Sequence, residues 1–276
     1  MLPEDIEKLR KLKETLDPST DIVMLRYNTG FDQQGRPVFS YYRERLIKNR
    51  AGHKWAGAVH EAIAPSGRVV YQDIAVTHRK NHPGDPDRNL KIFEKLLSEG
   101  KQLEPRERFY YARELYYHAR YKEAALELEG FLEDSGGWVE NKIDACKILG
   151  YCYDRLKQEP AALRALLRSM EFDSPRAEIC CELGRHFMVR QQFKSAVFWY
   201  RTATVCDRND KSGGFVENDC YDYLPYMQLC VCYDRLGERA LAEECNHKAG
   251  KIKPHDAAYL HNLQYFQGLH GQEKDD

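Results

Sequence analysis

From Asp21 onward, apolar and polar positions alternate in the manner of strands. Asp21-Ile22-Val23-Met24-Leu25-Arg26-Tyr27 and Pro37-Val38-Phe39-Ser40-Tyr41-Tyr42-Arg43-Glu44-Arg45-Leu46-Ile47 flank a turn at Asp32-Gln33-Gln34-Gly35, which predicts a β-hairpin. Further β-prone stretches run over residues 54–63 and 68–78, separated by the turn signal Pro65-Ser66-Gly67. A charged amphipathic helix is predicted before them over residues 4–16, and another helix over residues 88–98. This much sheet is too little to stand alone and reads as the end of a larger α/β domain.

Beyond that point the chain repeats itself. Cys152-Tyr153-Asp154-Arg155-Leu156 returns as Cys232-Tyr233-Asp234-Arg235-Leu236, a separation of 80 residues, or two periods of 34 plus 12 inserted residues. Leu183-Gly184, Phe187 and Ala196 follow Leu149-Gly150, Tyr153 and Ala162 by one period, and Leu229, Cys230, Tyr233, Ala242 and Pro254 make a further copy. A weaker early copy holds Ala112, Leu115, Tyr121 and Ala124. The period and the L-G-x-x-Y then Ala pattern resemble tetratricopeptide repeats, of which we count four.

In such a repeat each unit is a helical hairpin. The small residues Gly150, Ala162, Gly184, Ala196 and Ala242 allow close helix approach, Tyr153, Phe187 and Tyr233 fill the wedge, and Pro175 and Pro254 end the second helices. Residues 208–218 are expected to be the inserted loop, and a last helix near residues 256–267 to cap the array. The repeat register puts Phe109, Arg113, Tyr116, Lys147, Tyr151, Asp154, Cys181, Arg185, Met188, Met227, Val231 and Asp234 on a concave face suited to an acceptor protein or partner peptide. The competing reading is an ordinary solvated face, or one covered by the N-terminal segment.

Composition removes some function classes. Lys+Arg 42 against Asp+Glu 43 gives a net charge of −1, and no basic patch points to nucleic acid. No apolar run is long enough to span a membrane and no signal-type stretch opens the chain, which gives a cytoplasmic expectation. Nine cysteines without CxxC spacing are read as reduced, mostly buried thiols rather than a zinc site or a disulfide framework.

Two motifs in the first part carry a second resemblance. Arg43-Glu44-Arg45-Leu46-Ile47-Lys48-Asn49, followed by Trp55-Ala56-Gly57-Ala58-Val59-His60-Glu61, is similar to the C-terminal part of the catalytic domain of family 2 glycosyltransferases, of the kind that continues into tetratricopeptide repeats. In that family an Asp-x-Asp motif upstream holds a divalent Mn or Mg ion on the sugar nucleotide. Leu2-Pro3-Glu4-Asp5 resembles the stretch directly downstream of that motif, so this chain is expected to begin past it and to bind no metal alone. The literal Asp85-Pro86-Asp87 is read instead as capping the helix at Arg88.

The resemblance implies Glu61 as the base that takes the acceptor's proton, with His60 beside it. It implies His78 at the metal, Arg43, Arg45 and Arg79 (with Lys80) on phosphate, and Trp55 on a sugar ring. The alternative for Arg43 and Arg45 is the solvated side of a half-buried hairpin. The expected architecture is therefore mainly α: a tetratricopeptide-repeat helical solenoid over 88–276, preceded by a partial glycosyltransferase-like α/β segment over 1–87. The expected activity is inverting, metal-dependent sugar transfer from a nucleotide sugar once the upstream half is supplied. The rival is a non-enzymatic scaffold for protein partners.

Overall fold

A computed structural model describes residues 1–78 and 84–272. The chain divides into two compact units, 1–173 with 209–216, and 174–208 with 217–276.

The first unit opens with α1 (Pro3–Thr15), β1 (Ile22–Phe31), β2 (Pro37–Ile47) and β3 (Val69–Thr77). β1 pairs antiparallel with β2 and parallel with β3, and the sheet order is β3-β1-β2-β4, where β4 is the two-residue strand Val216–Glu217. As the central strand, β1 is covered on both faces, which explains its unbroken run Ile22-Val23-Met24-Leu25. Leu9 and Leu12 from α1, Leu16 just past its end and the strand residue Val70 pack on Val23, Leu25 and Ile74; Tyr42, Ile63, Val69 and Tyr71 pack with Ile22 and Met24. Asp5 on α1 is buried and accepts the Ala75 backbone N–H at 2.9 Å, which ties helix to sheet edge. Val23 pairs with Leu46 and Met24 with Glu44, so Arg45 is an extra, bulged residue.

The strand expected over residues 54–63 does not form. The segment is a loop closed by reciprocal Ala56–Ala62 backbone bonds of 2.9 and 3.1 Å, and Gly57 and His60 take φ of 99° and 54°, outside any strand. Its apolar residue Val59 is buried among helices rather than in a sheet.

Then follow α2 (Arg88–Ser98), α3 (Pro105–Tyr117), α4 (Tyr121–Glu133), α5 (Val139–Arg155) and α6 (Glu159–Arg168). The second unit holds α7 (Ala177–Met188), α8 (Phe193–Ala203), α9 (Tyr223–Arg235), α10 (Arg239–Ile252) and α11 (Ala257–Gln272). α3/α4 and α5/α6 are hairpins of the first unit, and α7/α8 and α9/α10 of the second. Each hairpin closes where the repeat pattern puts a small residue. A Cβ on Gly150 would sit 3.0 Å from Leu166, and one on Gly184 would sit 2.7 Å from the Tyr200 ring. Ala112, Ala124, Ala162, Ala196 and Ala242 are buried at these seams. Each unit thus carries two helical hairpins of the tetratricopeptide type, and α11 packs on those of the second through the buried Phe266.

All nine cysteines are free and eight are buried. Asp87 is the N-cap residue of α2, but its side chain makes no cap hydrogen bond, contrary to the sequence expectation. Its carboxylate faces His118 Nε2 at 3.2 Å, while Asp85 accepts the Asp87 backbone N–H at 2.9 Å.

Candidate docking site

α3 is started by Pro105 in its first turn and by the Glu107 carboxylate, which accepts the Glu104 backbone N–H at 3.3 Å. Arg106, Tyr110, Arg113 and Tyr117 then recur at helical spacing along one face. Two segments of the first unit lie over its Arg106, Tyr110 and Arg113 positions.

The first cover is the loop around His60. Its imidazole lies on the Tyr110 ring at 4.4 Å and 23°, and Arg106 donates to the His60 carbonyl at 3.0 Å. His60 Nε2 also stands 3.5 Å from Glu114, a buried carboxylate that accepts from Asn89 at 3.0 Å. Burial opposes ionisation of Glu114, but the His60 and Asn89 hydrogen bonds outweigh it and hold the carboxyl below its ordinary range.

The second cover is the segment 209–216. Phe215 stacks on Phe39 at 5.6 Å, meets Tyr41 edge-on at 5.2 Å and lies under the Arg113 guanidinium at 4.5 Å. Asp210 accepts from Arg26 at 3.0 Å, and Tyr71 donates to the Lys211 carbonyl at 3.3 Å. Gly213, at φ 83°, lets the segment turn close against Trp138.

These contacts decide where the expected groove residues lie. Phe109 is fully buried in the first core and lines no open face, a correction to the sequence reading, and Arg113 is held between rings and Phe215. Lys147 is buried beside Asp144 at 3.2 Å. Tyr116 and Tyr151 are half-buried with centroids 6.1 Å apart, Asp154 is half-buried, and Tyr117, which the register did not select, is 62% exposed. Arg113 donates to the Tyr117 hydroxyl at 3.0 Å.

In the second unit Met227 is buried in a cluster with Tyr223 and Ala249, again a correction, and Cys181 is buried. Arg185 pairs with Glu182 at 2.6 Å, and the Tyr200 hydroxyl points at Met188 Sδ from 3.9 Å. Asp234 accepts the Tyr265 hydroxyl of α11 at 3.1 Å, so the capping helix uses a residue expected in the groove.

The residues implied by the transferase resemblance divide between packing and surface. Arg43 grips the buried Glu44 at 3.0 Å and donates to the Glu61 carbonyl at 2.9 Å. Its charge is thus already engaged within the loop and strand. Arg45 lies over the Tyr27 ring at 4.6 Å, and the same ring packs against His78 at 5.7 Å. His60 and His78 therefore rest on different aromatic rings. Glu61 is exposed and Trp55 is 56% exposed. Arg79 lies outside the described residues. Among the described residues no group of three His, Cys, Asp or Glu is placed to hold a metal ion. A cleft of about 490 Å³ between α1 and β3 is lined by Lys8, Lys11 and Arg68 but also by Asp17 and Asp73, so its charges are mixed.

Sequence reasoning missed Glu114, Asp210, Phe215 and Tyr117. The readable signal for Phe215 is a single aromatic side chain in a polar, glycine-containing loop, which has no reason to be there unless it packs on something.

No family model and no curated protein sequence matches the chain. Among solved structures it is similar to YrrB, a tetratricopeptide-repeat protein with an unusual peptide-binding site (TM-score 0.47, 20% identity, 65% of this chain and 84% of that one). It is also similar to MamA (0.48, 16%, 63% and 96%) and to PilW, a type IV pilus biogenesis factor (0.48, 15%, 64% and 81%).

Proposed function

We propose that this chain is a non-enzymatic repeat scaffold whose first unit binds a peptide of a partner protein. The observation that carries this reading is that the unit already holds a peptide segment, its own 209–216. The segment is gripped by an acidic residue on Arg26 and an aromatic residue between Phe39, Tyr41 and Arg113. Beside this, the exposed Tyr117 and half-buried Tyr116 and Tyr151 leave aromatic surface for a partner. Aromatic side chains give contact area at low entropic cost. The partner class is a peptide with aromatic and acidic side chains.

Among the described residues no helix is long and apolar enough to cross a membrane. Nine free thiols suit a reducing compartment, and a cytoplasmic location is part of the proposal.

The test is selection of a random-peptide library on the immobilised full chain. Enriched aromatic and acidic peptides, bound at least about tenfold more weakly by the Tyr117→Ala/Tyr151→Ala double variant, support the reading; that loss is about 1.4 kcal/mol. No enrichment, or equal binding by the variant, overturns it.

A second reading keeps the transferase resemblance: with an upstream nucleotide-binding half, Glu61 would act as acceptor base. It is favoured by one observation, the exposed Glu61 on a loop whose backbone Arg43 holds. Calorimetric titration with a uridine diphosphate sugar and Mn²⁺, on this chain and on a form extended upstream, tests it; binding by neither form ends it.

A further inference from the structure

Cys206 is the one cysteine of nine that is not buried. It lies three residues past the end of α8, with its backbone N–H donating to the Ala203 carbonyl at 3.4 Å. Its Sγ is 3.9 Å from Sγ of Cys180, a fully buried residue on the first helix of the same hairpin. The neighbouring Cys181 is turned elsewhere, its Sγ 3.6 Å from the Cys220 carbonyl. A disulfide needs sulfurs about 2.05 Å apart, so about 1.9 Å of approach is required.

We propose that Cys180 and Cys206 form a reversible dithiol–disulfide couple within the second unit, with a hydroperoxide as oxidant. In the first step the Cys206 thiolate attacks the peroxide; an S–O bond forms, the O–O bond breaks, and the departing alkoxide or hydroxide takes a proton. In the second step the Cys180 sulfur gives up its proton and attacks the Cys206 sulfenic acid. The S–S bond forms, the S–O bond breaks, and hydroxide leaves with that proton as water. Two thiols are oxidised and one hydroperoxide is reduced to alcohol or water.

The surroundings support this order of events. The contact with the Cys180 sulfur holds the Cys206 thiol below its ordinary range, and Cys206 Sγ also lies 3.3 Å from the Thr202 carbonyl. By contrast, burial pushes Cys146, Cys152 and Cys230 up to about 12 and Cys232 and Cys245 up to about 11. The half-buried cysteine of the pair is thus the one placed to meet an oxidant first, and its fully buried resolving partner is in contact.

The experiment treats the full chain with a small excess of hydrogen peroxide, blocks remaining thiols with N-ethylmaleimide, and maps tryptic peptides by tandem mass spectrometry. The expected product is peptide 177–185 joined through Cys180 to peptide 202–208, lost on dithiothreitol treatment. In Cys180→Ser the bridge is absent and a sulfenic acid at Cys206 is trapped by dimedone. A bridge from Cys181 or Cys220, a vicinal Cys180–Cys181 bridge, or a Cys206 still alkylated after peroxide overturns the proposal. Peptide mapping of the unmutated chain alone decides between these outcomes, whether or not the variant folds.

Discussion

The His60 imidazole lies on the Tyr110 ring with centroids 4.4 Å apart, while its Nε2 faces the buried Glu114. A residue implied as a catalytic neighbour is thereby also a packing residue of the repeat array. His60→Ala should remove the stacking and one hydrogen bond to a buried carboxylate, at a cost of about 1–3 kcal/mol in urea unfolding. An unchanged midpoint would show that the contact carries no stability.

The same cluster sets a pH dependence. Glu114 is held below its ordinary range, so its contribution is complete above pH of about 4.5 and is lost as pH falls through its lowered value. His118 behaves oppositely. Its bond to the Glu114 carbonyl at 2.7 Å is the main cause of a raised value, and Asp87 adds to it. Its contribution is complete below pH of about 6.5 and is lost as pH rises through the raised value. Thermal melts across pH should therefore show a loss of stability as pH rises above about 6.5 that His118→Gln removes, and an acid limb that Glu114→Gln reduces.

Arg43 neutralises Glu44, which is 5% exposed and also accepts the Ile63 backbone N–H at 3.3 Å. Arg43→Met leaves that carboxylate buried without its cation, with an expected loss of about 2–4 kcal/mol in chemical unfolding. Arg43→Lys should recover only part of this, because one ammonium cannot reproduce the two bonds from Nε and Nη2 to the Glu44 carboxylate.

Close helix approach makes a paired prediction in the second unit. Gly184→Ala puts a methyl against Tyr200, and overpacking exceeds the helix-propensity gain for a net loss of about 1–2 kcal/mol. Gly268→Ala on α11 meets nothing within 4 Å and should gain about 0.5–1 kcal/mol. Melting curves of the two variants check both signs.

Phe215→Ala withdraws the ring shared by Phe39, Tyr41 and Arg113. The segment should lose its anchor, with faster hydrogen exchange over 209–216 and earlier tryptic cleavage after Lys211. Unchanged exchange would mean that Asp210 and the backbone suffice.

The helical hairpins were legible because their seams need small residues at fixed intervals, and Gly150, Gly184 and Ala196 announce them. The β1–β2 hairpin was legible from alternation and its turn. Residues 54–63 were misread because β-prone side chains there serve a loop with positive φ at His60, where Val59 finds helices to pack on. Phe109 and Met227 fell on the expected groove face by register alone; register orders residues around a helix but does not say what another segment lays over them. The contacts made by 209–216 are tertiary, with Arg26 and Asp210 separated by 184 positions, and no local pattern encodes them.

That returning segment also has a consequence for the order of events during synthesis. The first unit lacks 209–216 until the 35 residues 174–208 have been made, so Phe39, Tyr41 and Arg113 await their partner while the α7/α8 hairpin is emerging from the ribosome. Assembly from the N-terminus forward therefore cannot complete the first unit before the second has begun to form.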